Sequence, residues 1–191
     1  VDLVSILQAQ GVNAFGCHGA SGKLIQAEKR PPIIVSGGGS EPIDFGEVGD
    51  VMSINTEVLN SLLAADLVPV IASLGINDSG DIFNINADTT VVQIAREMSA
   101  QLLIFVTGIG GIFHDIKNPA SRFTQLDSTA ARKHIDSGVI VDGMIPKVEE
   151  ALSLLESGVD TIAIVDTRMP LAFASIASGN TSYGTLISNK A

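Results

Sequence analysis

The stretch Val141-Asp142-Gly143-Met144-Ile145-Pro146-Lys147-Val148-Glu149-Glu150 sets a lysine in the first turn of an expected helix. Pro146 suits the first helical position, and Val148, Ala151, Leu152 and Leu155 continue an apolar stripe at helical spacing. Lys147 then stands beside the positive end of the helix dipole, which is unfavourable for a cation unless something anionic compensates. Amides exposed at a helix start attract phosphate, and an added ammonium makes the place a candidate for stabilising a transferring phosphoryl group. A solvated surface lysine would satisfy the same pattern.

Two further loops have the composition for chemistry. Thr107-Gly108-Ile109-Gly110-Gly111-Ile112 contains three glycines that would let backbone amides approach a phosphate closely, although any tight turn leaving a buried strand also wants glycine. In Asn84-Ile85-Asn86-Ala87-Asp88, strand alternation aims Asn84 and Asn86 to one side and Asp88 begins a helix. Asparagine and aspartate are also common helix caps. Gly16 through Lys23 only superficially suggests a phosphate loop: the spacing between its glycines is one residue too long, and Leu24 stands where the magnesium-binding hydroxyl belongs. His18, His114 and His134 show no metal-ligand spacing, so no metal site is assigned, and no Ser/His/carboxylate set is recognisable. Cys17 reads as a small core residue rather than a nucleophile.

The elements that must position these loops alternate between strand and helix patterns. Residues 2–10 form an amphipathic helix stopped by Gly11, residues 12–17 a short strand, and the glycine-marked region to Val35 reads as hairpins, with Gly37-Gly38-Gly39 a candidate hairpin tip. Asn55 can cap a helix carrying Val58, Leu59, Leu62 and Leu63; Val68–Ala72 reads as a buried parallel strand. A strand at 82–85 and a helix at 88–99 lead to Leu102–Val106, an apolar run expected to be central. Asp127–Ser137 is a capped helix stopped by Gly138, followed by a strand at 161–165, a helix at 171–177 and a strand at 185–187. The alternation implies parallel α/β architecture, whose ligands gather at the carboxyl ends of strands.

Composition narrows the function classes. The 191 residues can bury one sizeable core; 46 % are apolar, and no uninterrupted apolar run is long enough to cross a bilayer. A formal charge of −10 offers no basic surface for nucleic acid, so neither nucleic acid nor membrane is expected as a partner. One cysteine rules out an internal disulfide framework, and a cytoplasmic location is expected.

Taken together and in this order, Gly46-Glu47-Val48-Gly49, the 84–88 segment, the 107–112 loop and Gly143-Met144-Ile145-Pro146-Lys147-Val148 resemble the amino acid kinase family, and within it the kinases acting on N-acetyl-L-glutamate. The resemblance spans nearly the whole chain. It implies a three-layer αβα sandwich with a mainly parallel central sheet (the carbamate kinase-like fold), N-terminally incomplete because the family's first lysine and glycine-rich loops would precede Val1. Residues 1–101 would be the remainder of an acceptor-substrate lobe and 102–191 a nucleotide-binding lobe. The implied activity is ATP-dependent phosphorylation of the side-chain carboxylate of N-acetyl-L-glutamate to an acyl phosphate, the second step of arginine biosynthesis. Lys147 would stabilise the transition state, Asp88 would orient catalytic lysine, and Asn84 and Asn86 would hold the acceptor. Thr107, Gly108, Ile109, Gly110, Gly111 and Ile112, with Val139, Ile140, Val141, Asp142, Gly143 and Met144, would hold ATP, with Mg2+ carried mainly by its phosphates. A homo-oligomer is also implied. Gly108 stands where the family's loop usually has aspartate. Other acceptors within the family, a carrier-linked aminoadipate or a nucleoside monophosphate, and a non-catalytic nucleotide-binding module are the alternatives.

Overall fold

A computed structural model describes residues 1–34, 40–141, 144–156, 158–166, 168–169 and 171–189, apart from the side chains of residues 146, 147 and 150. Gly37–Gly39, Asp142, Gly143 and the Lys147 side chain therefore lie outside the described residues. The chain divides into two compact units, Val1–Met98 and Ser99–Ala191.

In the first unit, helix α1 (Asp2–Ala9) packs on strand β1 (Ala14–His18), which pairs in parallel with β4 (Val68–Ala72). A second, mixed sheet has the order β3-β2-β5-β6, from β2 (Ile25–Lys29), β3 (Gly49–Ile54), β5 (Leu74–Ile76) and β6 (Ile82–Asn84). Helices α2 (Thr56–Ala64) and α3 (Ala87–Glu97) cover β4 and β3. Leu24, Ile25, Ile54, Leu59, Phe83 and Ile85 form the core. Strand β4 is less covered than its apolar sequence suggested, with Val68 46 % exposed at its start. Asn55 does precede α2, yet its side-chain amide donates to the Gly22 carbonyl at 2.9 Å instead of capping the helix. Of the expected hairpin strand at Ile33–Val35, the described part is a single bridge between Ile33 and Ile43.

The second unit has one four-stranded sheet, ordered β7-β9-β10-β8, from β7 (Leu102–Thr107), β8 (Gln125–Asp127), β9 (Thr161–Asp166) and β10 (Gly184–Ser188). β7 pairs with β9 and β8 with β10 in parallel, while β9 and β10 are antiparallel. Leu102–Val106, expected to be central, is instead an edge strand of this sheet, and Val106 is 42 % exposed. The two interior places belong to β10 and to β9. In β9, Ile162, Ala163, Ile164 and Val165 are all buried, as a strand covered on both faces requires, because successive side chains point to opposite sides. Helix α4 (Ser128–Asp136) is capped by Asp127, whose carboxylate accepts from the Ala130 amide at 2.6 Å. Helix α5 (Met144–Glu156) buries the predicted stripe of Val148, Ala151, Leu152 and Leu155, and α6 (Ala172–Ala177) packs on β9. The helix α5 begins two residues earlier than Pro146 indicated, so Pro146 is its third residue and Lys147 its fourth. Proline is tolerated there because the third amide still has no intrahelical acceptor. No described helix is long and apolar enough to cross a membrane.

Candidate functional site

The second unit brings two of the predicted loops to one cavity. Strands β7 and β9 end side by side, Thr107 opposite Asp166, and the glycine turn leaves from that carboxyl edge. Two internal hydroxyl contacts shape the turn: the Gly110 amide donates to Thr107 Oγ1 at 3.0 Å, and the buried Ile112 amide donates to Thr185 Oγ1 at 2.9 Å. Thr185 Oγ1 in turn donates to the Phe123 carbonyl at 2.6 Å, so one buried hydroxyl ties the turn, the 123 segment and β10 together.

Glycine is obligatory at two of these positions. Gly110 has φ +75° and a side chain there would come within 2.4 Å of Asp166 Cβ; Gly111 has φ +149° and would meet Arg122 Cδ at 2.7 Å. At Gly108, by contrast, an added Cβ meets open space.

Beside the turn lies a cavity of about 490 Å³ lined by Ile109, Phe113, His114, Asp115, Ile116, Val139, Ile140, Val141 and Met144. The 139–141 wall is placed by the end of α4. Gly138 takes the left-handed conformation that commonly ends a helix (φ +70°), and the Val139 and Ile140 amides both donate to the His134 carbonyl at 2.9 Å. The His134 ring lies against Phe123, with centroids 4.7 Å apart, consistent with a structural histidine. An apolar slot with a few polar groups at one edge can accept a flat heteroaromatic group, leaving a charged substituent to the backbone of the turn.

Of the predicted nucleotide contacts, Ile109, Val139, Ile140, Val141 and Met144 line this cavity; Thr107, Gly110 and Ile112 instead build the turn, and Asp142 and Gly143 lie outside the described residues. The sequence reading missed Phe113, His114, Asp115 and Ile116. The signal was an apolar pair bracketing His-Asp directly after the turn, which carries no regular period. It also missed Asp166 and Arg168. The Asp166 carboxylate accepts from the Arg168 amide (2.8 Å), Nε (2.9 Å) and Nη2 (2.6 Å), and Arg168 Nη2 also reaches the Gly108 carbonyl at 3.3 Å. Hydrogen bonds from the Arg168 side chain, then from its amide, hold the Asp166 carboxyl down at about 2.

In the first unit, Asn84 and Asn86 are exposed while Phe83 and Ile85 are buried, the alternation expected of them. Asn86 caps α3, its side-chain oxygen accepting from the Thr89 amide at 3.1 Å. Asp88, in the first turn of α3, lines a separate cavity of about 410 Å³ with Pro69, Ile71, Ser73, Thr90, Val91 and Ile94. Among the described residues no group of three or more His, Cys, Asp or Glu side chains could hold a metal ion. A larger cavity of about 630 Å³ between α1, β1 and β4 is mainly apolar, with Cys17 and His18 on its wall, and includes none of the predicted residues.

Comparison with known proteins gives consistent results. A model of the amino acid kinase family matches residues 2–166. Acetylglutamate kinase of Anaeromyxobacter dehalogenans (strain 2CP-C) is 38 % identical over 187 residues, 98 % of this chain and 69 % of that protein. Further curated relatives bearing the same name are 36 to 42 % identical, and the chain spans 61 to 66 % of their length. Among solved structures, smu.665 from Streptococcus mutans UA159 has a TM-score of 0.70 at 28 % identity, covering 99 % of this chain and 66 % of that one. The carbamate kinase of Giardia has a TM-score of 0.63 at 14 % identity, covering 98 % of this chain and 67 % of its own, a likeness of fold.

Proposed function

The chain belongs to the amino acid kinase family, and from that premise we propose that the complete protein transfers the terminal phosphoryl group of ATP to the side-chain carboxylate of N-acetyl-L-glutamate. The product is an acyl phosphate, and the step is the second of arginine biosynthesis. The observation that carries this reading is the cavity of the second unit, where the residues following β7 and those preceding α5 face one apolar slot beside a glycine turn. The family's α/β fold and the shared name of the relatives agree with it.

The chemistry asks little of a base. A carboxylate acceptor is already ionised at neutral pH, so the work is to align two anions and offset their repulsion. In this reading the adenine occupies the slot between Ile109, Phe113 and Val141, the turn's backbone faces the phosphates, and Lys147, in the first turn of α5, stabilises the charge that develops on the phosphoryl group. Asp88 orients catalytic lysine, and Asn84 faces the acceptor; Asn86 contributes through the start of α3, since its side chain is engaged as a cap. Magnesium carried on the phosphates supplies charge neutralisation when bound. The same reading includes a cytoplasmic homo-oligomer.

Hydroxylamine trapping of the acyl phosphate, with ATP and each candidate acceptor in turn, tests the proposal. Product with N-acetyl-L-glutamate is expected; product only with an aminoadipate or nucleotide acceptor, or none with any, refutes it. Lys147→Ala is expected to lower the chemical rate by about 10²- to 10³-fold, the scale of one lost electrostatic contact, while nucleotide affinity changes little.

A further inference from the structure

We infer that Asp166 and Arg168 form a latch on the glycine turn and that Arg168 is a positioning residue for the nucleotide, acting through the Gly108–Ile109 peptide. The inference rests on the nucleotide reading for its functional consequence, but its geometry stands alone. Asp166 closes β9 opposite Thr107, and its Cα and Cβ lie against Gly110, so the carboxylate is fixed to the base of the turn. Two hydrogen bonds from the Arg168 side chain to that carboxylate, through Nε and Nη2, hold the guanidinium plane in one orientation, with a third from the Arg168 backbone amide, although 74 % of the arginine side chain is exposed. A freely solvated arginine would sample many rotamers; one gripped through both Nε and Nη2 is pre-oriented.

The remaining reach of Nη2 goes to the Gly108 carbonyl at 3.3 Å. Every peptide bond described is trans, and in a trans peptide the C=O and the following N–H point in opposite directions. Tying the Gly108 carbonyl to Arg168 therefore turns the Ile109 N–H away from the arginine. No acceptor meets the Ile109 amide among the described residues, while the Gly110 and Ile112 amides are both taken. Ile109 is also the residue of the turn whose side chain lines the cavity. Gly108 makes the latch necessary: with no side chain and open space around it, this peptide has little else to stop it flipping. Arg168 thus sets the direction of the Ile109 amide, which borders the cavity and meets no acceptor among the described residues.

Two measurements test this, one without nucleotide. In ligand-free protein, Arg168→Met is expected to shift the amide resonances of Ile109 and Gly110 and speed exchange of the Gly110 amide, with Asp166→Asn giving the same pattern. Arg168→Lys should not restore it, because an ammonium cannot grip the carboxylate at two points while reaching the carbonyl. Unmoved resonances, or full restoration by lysine, overturn the latch whatever the protein binds. By calorimetry, Arg168→Met should weaken MgATP binding about tenfold and adenosine less than twofold, and the double variant should match the single ones, since both residues act as one unit. Multiplying effects of the two substitutions, or equal losses for adenosine and MgATP, refute the positioning role. If the unaltered protein ignores MgATP while the resonances still move, the latch stands and the kinase reading falls.

Discussion

Replacing Thr185 by valine keeps the shape of the side chain and removes its hydroxyl, which isolates the value of one buried polar link. Thr185 is fully buried; its Oγ1 accepts from the Ile112 amide at 2.9 Å and donates to the Phe123 carbonyl at 2.6 Å. Valine would strand both groups. A buried group left without its partner costs about 1–3 kcal/mol, in full for the Ile112 amide and in reduced measure for the half-buried Phe123 carbonyl, and burial of the added methyl returns about 0.8 kcal/mol. The net loss is then about 2–3 kcal/mol, a large fraction of the roughly 5–15 kcal/mol that stabilises a domain. Serine keeps the hydroxyl and gives up one methyl group, about 1 kcal/mol. With a urea slope of about 1–3 kcal/mol per molar, valine should lower the unfolding midpoint by roughly 0.7–3 M and serine by roughly 0.3–1 M, so that at any one slope valine shifts it about two to three times as far. The order is what matters: shape alone favours valine, and hydrogen-bond satisfaction favours serine. A valine variant as stable as the serine variant would refute the claim that this hydroxyl holds the turn.

Two glycines of the same turn should respond oppositely. Gly110→Ala puts a Cβ 2.4 Å from Asp166 Cβ at φ +75°, and should cost about 1–2 kcal/mol from backbone strain alone and impair ligand binding at the cavity. Gly108→Ala meets open space and should leave the melting temperature nearly unchanged; equal losses would contradict the geometry. The Asp166 carboxyl titrates at about 2 in the folded chain and near 3.9 in an unfolded one, so its contribution to stability is complete above about pH 4 and fades as pH falls toward 2. In parallel acid titrations, the stability difference between the unaltered protein and Asp166→Asn should shrink across that window; a constant difference would show that the carboxylate's charge is not involved. Cys17 is 8 % exposed and burial raises its thiol pKa, so an aromatic disulfide reagent should label it slowly in buffer and rapidly in urea. Equal rates would mean that β1 opens readily.

Local rules sufficed wherever local forces decide the structure. Asp127 and Gly138 bracket α4 because a carboxylate at one end and a left-handed residue at the other satisfy orphaned backbone groups within a few positions. The stripe from Val148 to Leu155 marked the buried face of α5 through helical period alone. Strand order was not legible in this way. Leu102–Val106 and Thr161–Val165 are both apolar enough for a central place, and what separates them is that β10 returns antiparallel beside β9, a pairing between residues far apart in the chain. The same limit hid the turn's supports. Thr185, Asp166 and Arg168 belong to strands and loops that show no spacing relation to Gly108–Gly111, and only folding brings them within hydrogen-bond reach.

The turn also removes an opposition between two readings of its glycines. Glycine in such a loop could serve close packing or close approach of a ligand, and the geometry separates the two glycines that packing explains from the one that it does not. Gly110 and Gly111 are needed for packing, one against Asp166 and the other against Arg122 and Thr185, and no ligand is required to explain them. Gly108 has open space and a packing reason for nothing, yet its carbonyl is gripped. Under the proposed nucleotide role, a rigid base with an exposed, oriented peptide is the arrangement that electrostatic preorganisation calls for: a donor fixed before an anion arrives would lose little entropy on binding it. The cost of holding that donor falls on the buried Thr185 hydroxyl and on the Asp166 carboxylate, neither of which needs to touch a ligand. Substitutions at those two positions should therefore couple to affinity at the cavity without changing its lining.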